Sequence, residues 1–243
     1  MKTSASIRSA AIASLLLGLL SALPARAGEQ ERSLFDGGSL TGWKAPAGST
    51  WQAVKAVTLN PANARAFTPN PGTGVLLNTP EKPTTDLLTE GEFGDCTLHV
   101  EFCVPQGSNS GIYMQGRYEV QIFDSFGKKD IAFSDCGGLY ERPEKGVGFQ
   151  GKAPALNASK APGEWQTFDI EFRAPRFDSA GKKTENAKFL KVTLNGKVIH
   201  ENVEVDGPTR SAHFNDEKPL GPLMLQGDHG PVAFRNLKIK TAG

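Results

Sequence analysis

Hydrophobic and polar residues alternate with a period of two in one segment after another, and no convincing helical stretch separates those segments. In residues 97–104, Leu98, Val100, Phe102 and Val104 share one face while His99, Glu101 and Cys103 share the other. Residues 165–173 repeat the pattern with Phe168, Ile170 and Phe172 inward. Between 189–194 and 197–200 lies Asn195-Gly196, a pair that tolerates the positive φ angles of a type I′ hairpin turn. Near the C-terminus, 222–226 and 232–240 flank the loop 227–231. Strands that follow strands without helices pair largely antiparallel. The 27 glycines and 16 prolines concentrate between them, as turn-rich sandwiches and jelly rolls require. Residues 137–163 are longer than an ordinary connection and are expected to form the wall of a cleft.

The N-terminus is of a different kind. Lys2 and Arg8 precede the apolar run 10–20, and Ala25-Arg26-Ala27 has the small-x-small form that a signal peptidase reads. Residues 1–27 therefore read as a secretory signal, 28–243 as a single domain, and the location as periplasmic or secreted. The apolar run is too short to span a bilayer of about 30 Å, so no membrane span is expected. The 27 basic and 26 acidic side chains are interspersed, which leaves no basic stripe for nucleic acid and points to a neutral partner. Three cysteines are far fewer than a disulfide-stapled scaffold uses, so stability must come from the core; a Cys103–Cys136 bridge is one arrangement the sequence allows. No spacing marks a zinc site.

The segment 116–124 is the most informative for chemistry. Alternation sends Tyr118, Val120 and Ile122 to one face and Arg117, Glu119 and Gln121 to the other, aligning a base, an acid and an amide on one surface. Tyr113, on the approach 108–115, is placed either to stack on a sugar ring or to enter the core. The spacing Glu119-x-Gln121-x-x-Asp124 is similar to the E-x-D-x-x-E strand of laminarinase-like retaining glycosidases, in which a bulge returns the third carboxylate to the face of the first. Double displacement by Glu119 and Asp124 needs two carboxyl groups about 5–5.5 Å apart, and Gln121 in the middle position cannot ionise. A second cluster, 223–231 followed by Phe234-Arg235-Asn236, contains Gln226 and a glycine-flanked His229, an imidazole suited to proton transfer near neutrality; Arg235 has the fork to hold a sugar oxygen or a carboxylate. Trp43, Trp51 and Trp165 read as packing residues.

Taken in order, these segments resemble the 3-keto-disaccharide hydrolase domain family. The matching pieces include Phe35-Asp36-Gly37 through Gly42-Trp43, Asp86-Leu87-Leu88-Thr89, Asn109-Ser110-Gly111-Ile112-Tyr113, Gly116 to Ile122, Cys136-Gly137-Gly138-Leu139-Tyr140, and Leu225-Gln226 through Leu237. The resemblance implies an all-β, concanavalin A-like jelly-roll sandwich of two antiparallel sheets, and a glycoside hydrolase or lyase acting on sugars oxidised at C3. A ketone there acidifies the C2 hydrogen, so a base can remove it, the enolate can expel the C1 substituent, and water can add back. On that implication Glu119 or His229 is the base, Arg117, Gln121 or Arg235 steadies the enolate, and Asp124 or Tyr140 assists departure. Gln226 and Tyr113 complete the substrate-binding set. No cofactor is required, and a divalent cation is compatible as Lewis acid. A non-catalytic glycan-binding module on the same face is the other class of reading.

Overall fold

The computed structural model describes residues 30–79, 85–144 and 146–241; the expected signal segment 1–27 lies outside them. The described residues contain no helix, and therefore none long and apolar enough to cross a membrane. Their strands, in chain order, are β1 (Gln30–Ser33), β2 (Trp43–Lys44), β3 (Trp51–Asn60), β4 (Asn63–Asn78), β5 (Leu87–Phe93) and β6 (Cys96–Cys103). There follow β7 (Asn109–Met114), β8 (Tyr118–Phe123), β9 (Arg142–Glu144), β10 (Val147–Phe149), β11 (Gln166–Arg173) and β12 (Arg176–Phe177). The last are β13 (Lys183–Glu185), β14 (Ala187–Leu194), β15 (Lys197–Val205), β16 (Gly221–Leu225) and β17 (Val232–Thr241).

Two antiparallel sheets make a concanavalin A-like jelly-roll sandwich. The larger has the order β15-β14-β11-β6-β17-β4-β3, with β1 added along β17; the smaller has the order β2-β5-β16-β7-β8. Short ribbons, β9 with β10 and β12 with β13, lie outside both. The period-two pattern explains the layering. Leu98, Val100 and Phe102 of β6 and Phe168, Ile170 and Phe172 of β11 meet Ile112, Tyr118, Val120, Ile122 and Leu225 of the smaller sheet in one buried cluster. Phe102 stacks on Phe168 with ring centroids 4.9 Å apart. Burying a side chain of this size contributes roughly 1.5–3 kcal/mol, so this interior carries the fold.

The hairpin expected at Asn195-Gly196 joins β14 to β15, with φ of 52° and 75° at the two positions. A second turn of this kind, Gln115-Gly116, joins β7 to β8 with φ of 56° and 65°. Beyond β8, the start of the long connection runs alongside its edge: Gly137 N–H donates to Gln121 O, Gln121 N–H to Gly138 O and Tyr140 N–H to Glu119 O. The wall expected from 137–163 is thus stitched to the strand that bears Glu119.

The thiols differ from one arrangement the sequence allowed. Cys96, Cys103 and Cys136 are all free and buried. Cys136 lies in the core between the sheets, whereas Cys103 belongs to a separate cluster with Val54, Leu77 and Ala233, so alternation along β6 has turned it away from any bridge. Burial pushes the thiols up, to about 12 for Cys96 and Cys103 and about 11 for Cys136. Trp43 and Trp51 are core residues, as their setting suggests, and Trp165 packs under Arg235 on the larger sheet.

Candidate active site

The face of the smaller sheet turned away from the core carries the polar row. Glu119 and Gln121 point to it from β8 while Tyr118, Val120 and Ile122 point into the core. A cavity of about 200 Å³ opens over this face. Its floor is Tyr113, Glu119 and Gln121; its walls are Tyr140 on one side, Gln226 and His229 on another, and Arg210 with Ser211 on a third. Sequence reasoning therefore brought together Glu119, Gln121, Tyr113, Tyr140, Gln226 and His229.

Glu119 is only 3% exposed. Room for its carboxyl is made by the strand beside it, because a Cβ added to Gly111 would stand 2.4 Å from Glu119 Oε1. Tyr113 is the direct cross-strand neighbour of Glu119, and its hydroxyl lines the same cavity as the carboxyl and favours the ionised form. Burial is the largest influence and pushes Glu119 up to about 8; the Tyr113 hydrogen bond opposes it, and the carboxylates of Asp86 and Asp228 reinforce it. Burial also raises the Tyr113 hydroxyl well above its ordinary range, so it stays a donor. Gln226 Nε2 donates to the same hydroxyl at 3.5 Å. The Oε1 atoms of Gln121 and Gln226 are buried without a protein partner, leaving two acceptors at the cavity for ligand hydroxyls.

His229 is half exposed and is held through Nδ1 by the carboxylate of Asp228. In the neutral tautomer with its proton on Nδ1, the ring donates to Asp228 and Nε2 is the acceptor, the arrangement of a general base with an orienting carboxylate. A buried carboxyl that keeps its proton to about pH 8 and an oriented imidazole thus line one small cavity.

Three expected residues are elsewhere. Asp124 follows β8 and turns into the next loop, where its carboxylate accepts from Gly107 N–H at 2.9 Å and from Phe126 N–H at 3.4 Å. The β7–β8 register runs without a shift from Asn109↔Phe123 to Met114↔Tyr118, so the bulge that would return Asp124 to the face of Glu119 is absent from this pair. Arg117 is 2% exposed and spent on structure: Nε donates to Asp216 O, Nη1 to Gln115 O and Nη2 to Asp216 Oδ1, and the guanidinium lies 4.7 Å from the Phe214 ring centroid. Arg235 projects from the larger sheet, paired with Glu101 at 2.7 Å and stacked on Trp165 at 4.1 Å.

Residues that sequence reasoning missed come chiefly from the connection between β15 and β16. Arg210 and Ser211 line the cavity, and His213 lines a larger one of about 470 Å³ beside it, with Asp86 and Asp228. The connection is sewn to the β7–β8 turn by Thr209 N–H to Arg117 O at 2.8 Å and His213 N–H to Gly116 O at 3.0 Å. No alternation marks 206–220; the signal it offered was Arg210 followed closely by His213 and Phe214 in a long interstrand run. Among the described residues no three histidine, cysteine or acidic side chains are grouped as a metal site.

An antiparallel sheet with a buried carboxyl on its outer face, and a carboxylate-paired imidazole beside the same cavity, defines a jelly-roll domain with a polar cleft. The comparisons narrow the class. A family model described as the 3-keto-alpha-glucoside-1,2-lyase-like domain matches residues 30–240, and the chain belongs to that family. Among solved structures, a candidate glycosyl hydrolase from Parabacteroides distasonis is similar at 28% identity over 87% of this chain and 83% of its own, with a TM-score of 0.65. A second candidate glycosyl hydrolase from the same organism, at 21% identity over 87% of this chain and 99% of its own with a TM-score of 0.57, shares the fold. No match was found among curated protein sequences.

Proposed function

We propose that the cleft cleaves glycosides already oxidised at C3, by elimination across C1–C2 followed by addition of water. The observation that carries this reading is the pairing over one cavity of Glu119, protonated up to about pH 8, with His229, whose Nδ1 is fixed by Asp228. Environments that separate two proton-transfer groups assign their roles. His229 Nε2 takes the C2 proton, and the electron pair moves into an enolate on the C3 oxygen. As the ketone re-forms, the C1–O bond breaks, and Glu119 gives its proton to the departing oxygen. The product is a C1=C2 enone with a free alcohol. Water then adds, its hydroxyl to C1 and a proton from His229 to C2, while Glu119 regains a proton from the water. Arg210, Gln121 and Tyr140 are the donors within reach of an enolate in this cavity. Membership of the 3-keto-alpha-glucoside-1,2-lyase-like family supports the same substrate class. Export directed by residues 1–27 would place this activity in the periplasm or outside the cell.

The test is incubation with a 3-keto-glucoside and, separately, its unoxidised parent in deuterated water. Turnover of the keto form alone, with deuterium at C2 of the product, is the expected result. Equal turnover of both would overturn elimination.

A further inference from the structure

The loop that carries His229 crosses between the sheets, leaving β16 of the smaller at Leu225 and entering β17 of the larger at Val232. Both its shoulders are tied down. Gln226 N–H donates to Gly111 O at 2.9 Å, and Ser110 Oγ donates to Gln226 O at 2.8 Å. Gly227 N–H donates to Asp86 Oδ1 at 3.0 Å, and Asn78 Nδ2 donates to Gly227 O at 2.7 Å. On the far shoulder Ser108 Oγ donates to Pro231 O at 2.6 Å, and Gly230 lies so close that an added Cβ would stand 2.4 Å from that hydroxyl oxygen. Between the shoulders stand Asp228 and His229, bonded to each other and each about half exposed.

Asn78 is the tie that the sandwich itself does not call for. It closes β4 in phase with Leu76, whose side chain enters the core between the sheets, and it is fully buried. An apolar residue would suit that position, and a buried amide costs free energy unless its polar ends are paired. Both ends are paired: Thr50 Oγ1 donates to Asn78 Oδ1 at 2.6 Å, and Nδ2 reaches Gly227 O. Gly227 comes this near because it lacks a side chain, since an added Cβ would stand 2.5 Å from Thr85 O and 2.9 Å from Trp51 Nε1. Trp51, directly opposite Asn78 on β3, donates through Nε1 to Thr85 O at 2.9 Å and so anchors the neighbouring Asp86, which holds the N–H of the same glycine. We propose that Asn78 is a positioning residue for His229: by holding Gly227 O it fixes the shoulder from which Asp228 and His229 project, and so sets where the imidazole stands over the Glu119 cavity. This rests on the reading of His229 as the base. A misplacement of about 1 Å in such a group costs on the order of 10² in rate.

The test places Asn78→Asp and Asn78→Ser in the wild type and in a His229→Ala background. Aspartate keeps the shape and loses the donor; serine is too short to reach the carbonyl. In the wild type, kcat on a 3-keto-glucoside is expected to fall about 10- to 100-fold with KM within about twofold. In the His229→Ala background the further fall is expected to be less than about twofold, because the imidazole through which Asn78 acts is gone. Equal falls in both backgrounds, or wild-type kcat in the single variants, would overturn the assignment. Where neither variant folds, Thr50→Val removes the hydroxyl that donates to the Asn78 amide, and it should lower kcat by about threefold or more while His229 is present; no loss there would overturn it. Backbone amide NMR relaxation needs no turnover. The order parameters of the Asp228 and His229 amides are expected to drop from about 0.85 to below about 0.6 in the Asn78 variants while those of β6 and β11 hold, and unchanged order at the tip would refute the tie. A tip that loosens in a protein whose His229→Ala variant turns over at the wild-type rate would support the tie and sink the reading of His229 as base, so the two fail separately.

Discussion

Tyr113 and Glu119 face each other across the β7–β8 pair, on a surface of the smaller sheet turned away from the core. Burial is the largest influence on that carboxyl and holds its proton to about pH 8. A carboxyl in that state supplies a proton at neutral pH.

Turnover of a 3-keto-glycoside is expected to fall as pH rises through about 8, because the acid form of Glu119 is lost there. Glu119→Gln is expected to lower kcat by a factor on the order of 10² to 10⁴. A pH profile of kcat/KM checks the assignment of roles: a limb that rises rather than falls through pH 8 would make Glu119 the base.

Stability carries the same signature with the sign fixed by linkage. The folded chain holds the Glu119 proton to about 8, whereas the ordinary carboxyl releases it near 4.5, so the native state loses stability as pH rises between those values. Glu119→Gln removes the penalty and should be stabilising at pH 8.5 by up to about 5 kcal/mol, yet close to neutral at pH 4. Thermal melts of both proteins at the two pH values measure the difference; equal offsets at both would contradict a buried, raised carboxyl.

Gly111 is expected to be intolerant of a methyl group. A Cβ 2.4 Å from Glu119 Oε1 must push the carboxyl out of its place. Gly111→Ala should cost about 1–3 kcal/mol by overpacking and lower kcat at least tenfold. Circular dichroism with steady-state kinetics distinguishes this from unfolding: native spectra with wild-type kcat would mean that the carboxyl position is not critical.

Asp124 is expected to be dispensable for chemistry. Asp124→Ala removes acceptors for Gly107 and Phe126 N–H and should cost roughly 1 kcal/mol while leaving kcat within twofold. A thousandfold loss of kcat in a well-folded variant would revive displacement by two carboxylates.

Alternation made much of this molecule legible. Glu119 and Gln121 on one face with Tyr118 and Val120 on the other and the Asn195-Gly196 hairpin follow from period and turn chemistry, and the wall that carries Tyr140 from the length of its connection. Arg117 defeated the same reasoning. It stands in phase with Glu119, but it follows a tight turn at Gln115-Gly116, and its long side chain reaches Asp216 and Phe214. Phase predicts the face from which a side chain leaves, not where a flexible one ends. Arg235 lies on a different sheet, a fact that depends on pairing between strands distant in sequence. Arg210 and His213 sit in a connection with no periodicity at all, placed by bonds to a turn about 100 residues earlier. The buried state of Glu119 was equally hidden, since it depends on Gly111 and on neighbours that only the assembled sheet supplies.

The three buried thiols give the protein an internal clock. A thiol must ionise before it can attack, and in the folded chain Cys96, Cys103 and Cys136 hold their protons well above the ordinary range. Alkylating reagent in neutral buffer should therefore label none of them at the rate of a free cysteine, and each label acquired would record an opening event. Because Cys103 lies in a separate cluster from Cys96 and Cys136, the order of labelling distinguishes loosening of that outlying cluster from separation of the two sheets.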